Sequence, residues 1–127
     1  MADVRNDNGM YYGWESGQAG FGANVNQNFL DIGMFSNIGV ISMALPTPPV
    51  SPSAGDAYIV ADSGTGDWNG EDGNLAVWTY EIAATTRSWV ILEPKMGWLA
   101  FDFANSTLHA HNGTQWSDGG PLFVFTP

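Results

Sequence analysis

Beyond residue 55 the chain is cut into short apolar runs by clusters of turn-forming residues, and this punctuation constrains the fold more than any other feature. The clusters are Asp62-Ser63-Gly64-Thr65-Gly66-Asp67, Asn69-Gly70-Glu71-Asp72-Gly73, Ala104-Asn105-Ser106 and Asn112-Gly113. Glycine supplies positive φ, and Asn and Asp side chains bond to their own backbone; Asn-Gly between apolar runs marks a hairpin. The runs between them read as strands at Ala57–Ala61, Asn74–Tyr80, Ser88–Leu92, Trp98–Phe103, Thr107–His111, Gln115–Ser117 and Leu122–Thr126. No helical pattern lies between these strands, and parallel neighbours need a long crossover. The expected fold is therefore mainly β, a small antiparallel meander or sandwich preceded by an N-terminal arm and one short helix.

The centre of this module is the corner Glu93-Pro94-Lys95-Met96-Gly97-Trp98-Leu99-Ala100-Phe101. Pro94 lacks an amide proton and ends the preceding strand, and Gly97 suits a turn that needs positive φ. Along the next strand Trp98 and Ala100 share one face while Leu99 and Phe101 share the other. Apolar residues on both faces predict a strand covered on both sides. Trp78, Trp89 and Trp98 are expected in the core; Trp68 and Trp116 lie in or beside turns.

The N-terminal part reads differently. Residues 1–20 are polar and Gly-rich apart from Tyr11, Tyr12 and Trp14, and have too little apolar surface to fold alone. Residues 23–37 carry a helical pattern, with Asn24 as candidate N-cap and Val25, Phe29 and Ile32 at helical spacing. Leu30, Met34 and Phe35 widen that stripe until it nearly encircles the helix, more than one small sheet buries. Self-association accounts for it, with Gly33 allowing close approach; packing of a single helix on its own sheet is the alternative. Tyr11, Tyr12, Trp14, Val25, Phe29 and Ile32 are thus candidate oligomer or attachment residues. Four prolines in residues 46–54 form a stiff extended connector. The expected organisation is an assembly arm over 1–45, the connector over 46–54 and an antiparallel β module over 55–127.

Charge narrows the partners. Three Lys and Arg against thirteen Asp and Glu give a formal charge of −10, which repels nucleic acid and anionic membrane surfaces. Cysteine is absent, so no disulfide, thiolate metal site or cysteine nucleophile is available. No signal peptide is expected at the N-terminus, and no apolar stretch approaches the roughly 20 residues that cross a bilayer.

Candidate chemistry is sparse. His109 and His111, two apart on one strand, point to one face and are the candidate metal ligands; two histidines on a solvent-facing strand is the competing reading. Asp62, Asp67, Glu71 and Asp72 make an oxygen-rich loop that lacks the spacing of a calcium loop. No nucleophile, phosphate-loop or zinc-protease motif is present, so neither an enzyme nor a cofactor is expected. Exposed aromatics flanked by Asn and Asp suit stacking on sugars, which makes Trp68 and Trp116 candidate glycan contacts.

One ordered set of residues carries a resemblance. Gly55-Asp56-Ala57-Tyr58-Ile59-Val60 is followed by Gly66-Asp67-Trp68-Asn69-Gly70, Leu75-Ala76-Val77-Trp78, Trp89 with Pro94-x-x-Gly97-Trp98, and Leu108 with Asn112-Gly113-x-x-Trp116. Upstream stand Gly13-Trp14-x-x-Gly17-Gln18 and Asn26-x-Asn28 with Leu30, so the set spans residues 10–117 overall. This succession resembles a domain family of unknown function common in tail and fibre proteins of tailed bacteriophages and prophages. The loop from Thr79 to Ser88 is longer than that pattern, and His109 and His111 replace apolar or aromatic residues. The resemblance implies a virion structural protein, in a tail fibre or baseplate, assembled in the host bacterial cytoplasm. Its expected partners are further copies of itself, a trimer foremost, and other virion proteins. Host surface polysaccharide is an alternative ligand, and capsid decoration an alternative place.

Overall fold

The computed structural model describes residues 38–121, the strands β1 (Val4–Arg5) and β2 (Tyr11–Tyr12), and helical residues Gln27, Asn28, Phe29 and Ile32. Trp14 and Val25 of the expected interface, and the expected strand Leu122–Thr126, lie outside the described residues. What is described is mainly β and forms no closed barrel. β1 and β2 pair antiparallel, Val4 opposite Tyr12.

Two further sheets make the module. One has the order β4 (Ala57–Ile59), β5 (Leu75–Thr79), β6 (Ser88–Leu92), all antiparallel. The other has the order β3 (Gly39–Val40), β7 (Leu99–Asp102), β8 (Thr107–Ala110), β9 (Gly120–Pro121). The expected strand at Gln115–Ser117 is a single bridge between His111 and Trp116, closing the Asn112-Gly113 hairpin. Its turn is held by Asn112, whose Oδ1 accepts from the amides of Thr114 and Gln115 at 2.9 Å each.

One run of chain joins the two sheets, and it adds parallel pairing to a module whose other strand pairs are antiparallel. β3 pairs parallel with β7, with the Phe101 and Phe103 amides donating to the carbonyls of Ile38 (3.0 Å) and Val40 (2.9 Å). The next residues then turn to β4: Ile41 donates to Ala57 (2.8 Å), while Ile59 and Ala61 donate to Ser42 (3.2 Å) and Leu45 (3.1 Å). Ser42 and Tyr58 bridge in parallel. Residues 38–45 therefore hydrogen-bond to both sheets of the module, with strand geometry at Gly39–Val40 and a single bridge at Ser42. The Pro-rich stretch 46–54 is the crossover that parallel pairing requires, built without a helix. It is tied down where Thr65 donates its amide to the Pro46 carbonyl at 2.9 Å and its hydroxyl meets that of Thr47 at 2.8 Å.

The three-stranded sheet is covered on both faces. Ile59, Leu75 and Val90 point toward the second sheet and pack with Val40. Tyr58, Val60 and Ala76 point the other way and pack with Trp68, against which Trp89 and Ile91 also lie. The alternation follows from the two-residue period of a strand. Trp78 and Trp89 stand directly opposite in register, rings 5.3 Å apart.

At the central corner Pro94 is buried and the Trp98 amide donates to the Lys95 carbonyl at 3.2 Å, with Gly97 at φ +92°. The turn is the expected one. Trp98 is half-buried, less than its expected core position. Coverage of the following strand is also one-sided. Ala100 and Asp102 are buried, whereas Leu99 is 54% and Phe103 63% exposed. The covered face meets the three-stranded sheet; the single chain, among its described residues, leaves the other face open.

Candidate functional site

β8 turns its polar side chains inward. Register places His109 opposite Ala100 and Thr107 opposite Asp102, so these share the covered face, and His111 continues it. His111 is buried, contrary to a solvent-facing position for the pair. Ring hydrogen bonds set opposite neutral tautomers. His109 Nδ1 lies 2.7 Å from the Ser117 carbonyl, which only accepts, so Nδ1 carries the proton and Nε2 accepts from the Thr107 hydroxyl at 2.9 Å. His111 Nδ1 instead accepts the Gly113 amide at 3.0 Å, which leaves the proton on Nε2. Burial pushes the His111 pKa down from 6.5, and the Glu93 carboxylate partly opposes this. Among the described residues no group of three or more His, Cys, Asp or Glu is placed to hold a metal ion.

The hairpin after β8 carries Trp116 to the joint between the sheets. Its indole N–H donates to the Gly73 carbonyl at 2.8 Å, and its ring meets His111 edge-on at 4.9 Å. Half-buried against the inter-sheet core, Trp116 forms one wall of an open cleft of about 750 Å³. Asp62, Asp72, His109, Gln115 and Asp118 also line it. Asp72 accepts the amides of Gly64 (2.8 Å) and Ser63 (2.9 Å), and these bonds hold its carboxyl below the usual range. The loop Asp62–Asp72 is thus pinned by its own last carboxylate.

The two turn-associated tryptophans separate. Trp116 lines the cleft, but Trp68 is fully buried on the far side of the three-stranded sheet and touches no solvent. The short 3₁₀ turn Gly66–Trp68 folds it back between Tyr58 (5.5 Å) and Trp89 (5.1 Å). Trp68 is accordingly a core residue and is withdrawn as a glycan contact. Gln115 and Asp118 line the cleft without having been singled out from sequence. Their neighbours across it, Asp62 and Asp72, come from a loop more than forty residues earlier, and no local pattern links the two.

Of the expected interface residues, Phe29 is 68% and Ile32 44% exposed, and Tyr11 and Tyr12 form β2. Two parallel-stitched sheets with a polar cleft at their joint define the class of the molecule as a small β module. The chain belongs to the family described as "Protein of unknown function (DUF2793)", whose model matches residues 25–117. No curated protein and no solved structure matches it.

Proposed function

We propose that this chain is a structural virion protein of a tailed bacteriophage, a tail-fibre or baseplate-associated component. It attaches through its N-terminal region, self-associates as a trimer and presents the β module. The observation that carries this reading is the exposure of Phe29 and Ile32 on the helical segment, apolar surface that a lone chain leaves in water. The ordered Trp and Gly elements that resemble those of tail and fibre proteins support the setting. The strong negative charge argues against nucleic acid as a partner. The resemblance supplies no catalytic residue, and a mechanical role is proposed over catalysis. The protein would be assembled in the host cytoplasm and carried on the particle.

Light scattering of the full chain tests self-association. The expected result is an oligomer that Ile32→Asp dissociates, because an unpaired charge buried in an interface costs several kcal/mol. A monomer at micromolar concentration overturns it. Immunogold labelling of phage particles tests the setting: label on tails supports the reading, and label on capsids replaces it with a decoration protein. Absence of label from every particle overturns the virion assignment.

A second reading is recognition of host surface polysaccharide in the cleft. Trp116 beside Asp62, Gln115 and Asp118 offers a ring face with hydrogen-bonding groups around it, the arrangement that sugars use. Binding on a glycan array that is lost in Asp118→Ala, a change at an exposed residue, would favour it.

A further inference from the structure

The cleft at the joint of the sheets is rich in acceptors and poor in positive charge. Asp62, Asp72 and Asp118 stand on its wall and, among the described residues, no Lys or Arg does. Arg87 lies over the Tyr80 ring at 4.6 Å, and Lys95 sits in the corner before β7, both outside the lining. Bonds within the protein already occupy several polar groups of the wall. Both Asp72 oxygens accept amides, both His109 ring nitrogens are bonded, and the Trp116 indole N–H goes to Gly73. Asp62, Gln115 and Asp118 differ: their side chains are exposed and bond to no described residue. Met43, Ile59 and Val60 add apolar lining, and the volume of about 750 Å³ lies within the roughly 300–1,000 Å³ of small-molecule sites.

We infer, on the reading of this cleft as a polysaccharide site, that it takes glycans free of acidic groups and that Asp62 and Asp118 set this choice. A pyranose lays its C–H face on an indole ring and spreads its hydroxyls around the stack. Ionised carboxylates only accept, so they take the protons of sugar hydroxyls in charge-assisted bonds. Gln115 supplies a donor for a sugar oxygen. A uronic, sialic or phosphorylated sugar would instead bring an anion against Asp62, Asp72 and Asp118. His109 offers such a group no free N–H, because its one ring proton is committed to the Ser117 carbonyl. An anion desolvated there without a partner is disfavoured, and the chain's charge of −10 opposes its approach. Asp62 comes from the loop before β5 and Asp118 from the chain after the Trp116 hairpin, so the choice is made by side chains that meet only in the folded protein.

A glycan array carrying neutral, uronic, sialylated and phosphorylated glycans, probed with the full chain, tests this. Binding is expected only among glycans without acidic groups. Each neutral glycan that binds is then compared by calorimetry with its counterpart in which one CH₂OH is oxidised to a carboxylate. The counterpart is expected to bind roughly tenfold more weakly at low salt, with the gap narrowing at high salt. Asp62→Asn combined with Asp118→Asn removes both charges at exposed positions and keeps an acceptor oxygen at each. This double variant is expected to bring the pair within about threefold, with an unchanged circular dichroism spectrum. Counterparts that bind alike to the wild-type chain, or a preference that the double variant leaves unchanged, overturn the selection by charge and leave polysaccharide recognition standing. Acidic glycans among the tightest binders do the same. An array on which nothing binds overturns the recognition reading and this inference together.

Discussion

The indole N–H of Trp116 donates to the carbonyl of Gly73 at 2.8 Å, a bond between residues 43 positions apart. It ties the hairpin after β8 to the start of β5, and so closes the joint on which the cleft depends. Trp116→Phe keeps most of the ring and removes the donor. Urea unfolding is expected to show a loss of about 1 kcal/mol. Trp116→Ala also empties part of the inter-sheet core and is expected to cost more, up to about 3 kcal/mol for this half-buried site.

Trp68 offers the contrasting case. It is fully buried and its Nε1 has no hydrogen-bond partner. Trp68→Ala opens a cavity among Tyr58, Trp89 and Ala76, with an expected cost of about 3–5 kcal/mol. Trp68→Phe loses volume but no hydrogen bond, so it is expected to retain more than half of that stability. Thermal denaturation of both variants checks the order; equal losses would contradict it.

Acid is expected to weaken the hairpin at His111. Its folded pKa is lowered from 6.5 by burial, so the unfolded chain takes up the proton first. The stabilisation is complete above the unfolded value and is lost as pH falls below about 6.5 toward the lower folded value. Protonation at Nδ1 would also remove the acceptor of the Gly113 amide. His111→Gln should flatten this part of a stability-against-pH curve measured by urea unfolding. Glu93→Gln should widen the window, because Glu93 favours the charged ring. Asp72 adds a separate acid-side loss: its lowered pKa stabilises above the ordinary carboxylate value of 3.8, and that contribution disappears as pH falls through the folded value.

Gly97 holds φ +92° in the corner turn between Lys95 and Trp98. Gly97→Ala places a Cβ where left-handed backbone disfavours one, with an expected loss of about 1–2 kcal/mol. Nothing lies within 4 Å of the added atom, so the cost is conformational and a D-alanine introduced there by chemical synthesis should restore stability.

What the sequence determined on its own was local. Ser88–Leu92 is a strand with the expected bounds, Pro94 and Gly97 make the expected corner, and Asn112-Gly113 turns a hairpin. These follow from φ restrictions and side-chain bonds within a few residues, which act whatever the rest of the chain does. Tertiary structure decided the remainder. Residues 38–45 read as part of an arm, yet they pair in parallel with β7 and then with β4. Such pairing is set by which distant apolar faces meet, and the cost of closing the loop between them grows only slowly with length. The same packing buried Trp68, left Trp116 at the cleft, and turned His109 and His111 inward while Leu99 and Phe103 faced out. Alternation in β7 shows two faces, but the direction of each depends on where the other sheet lies, and no residue in that strand encodes it.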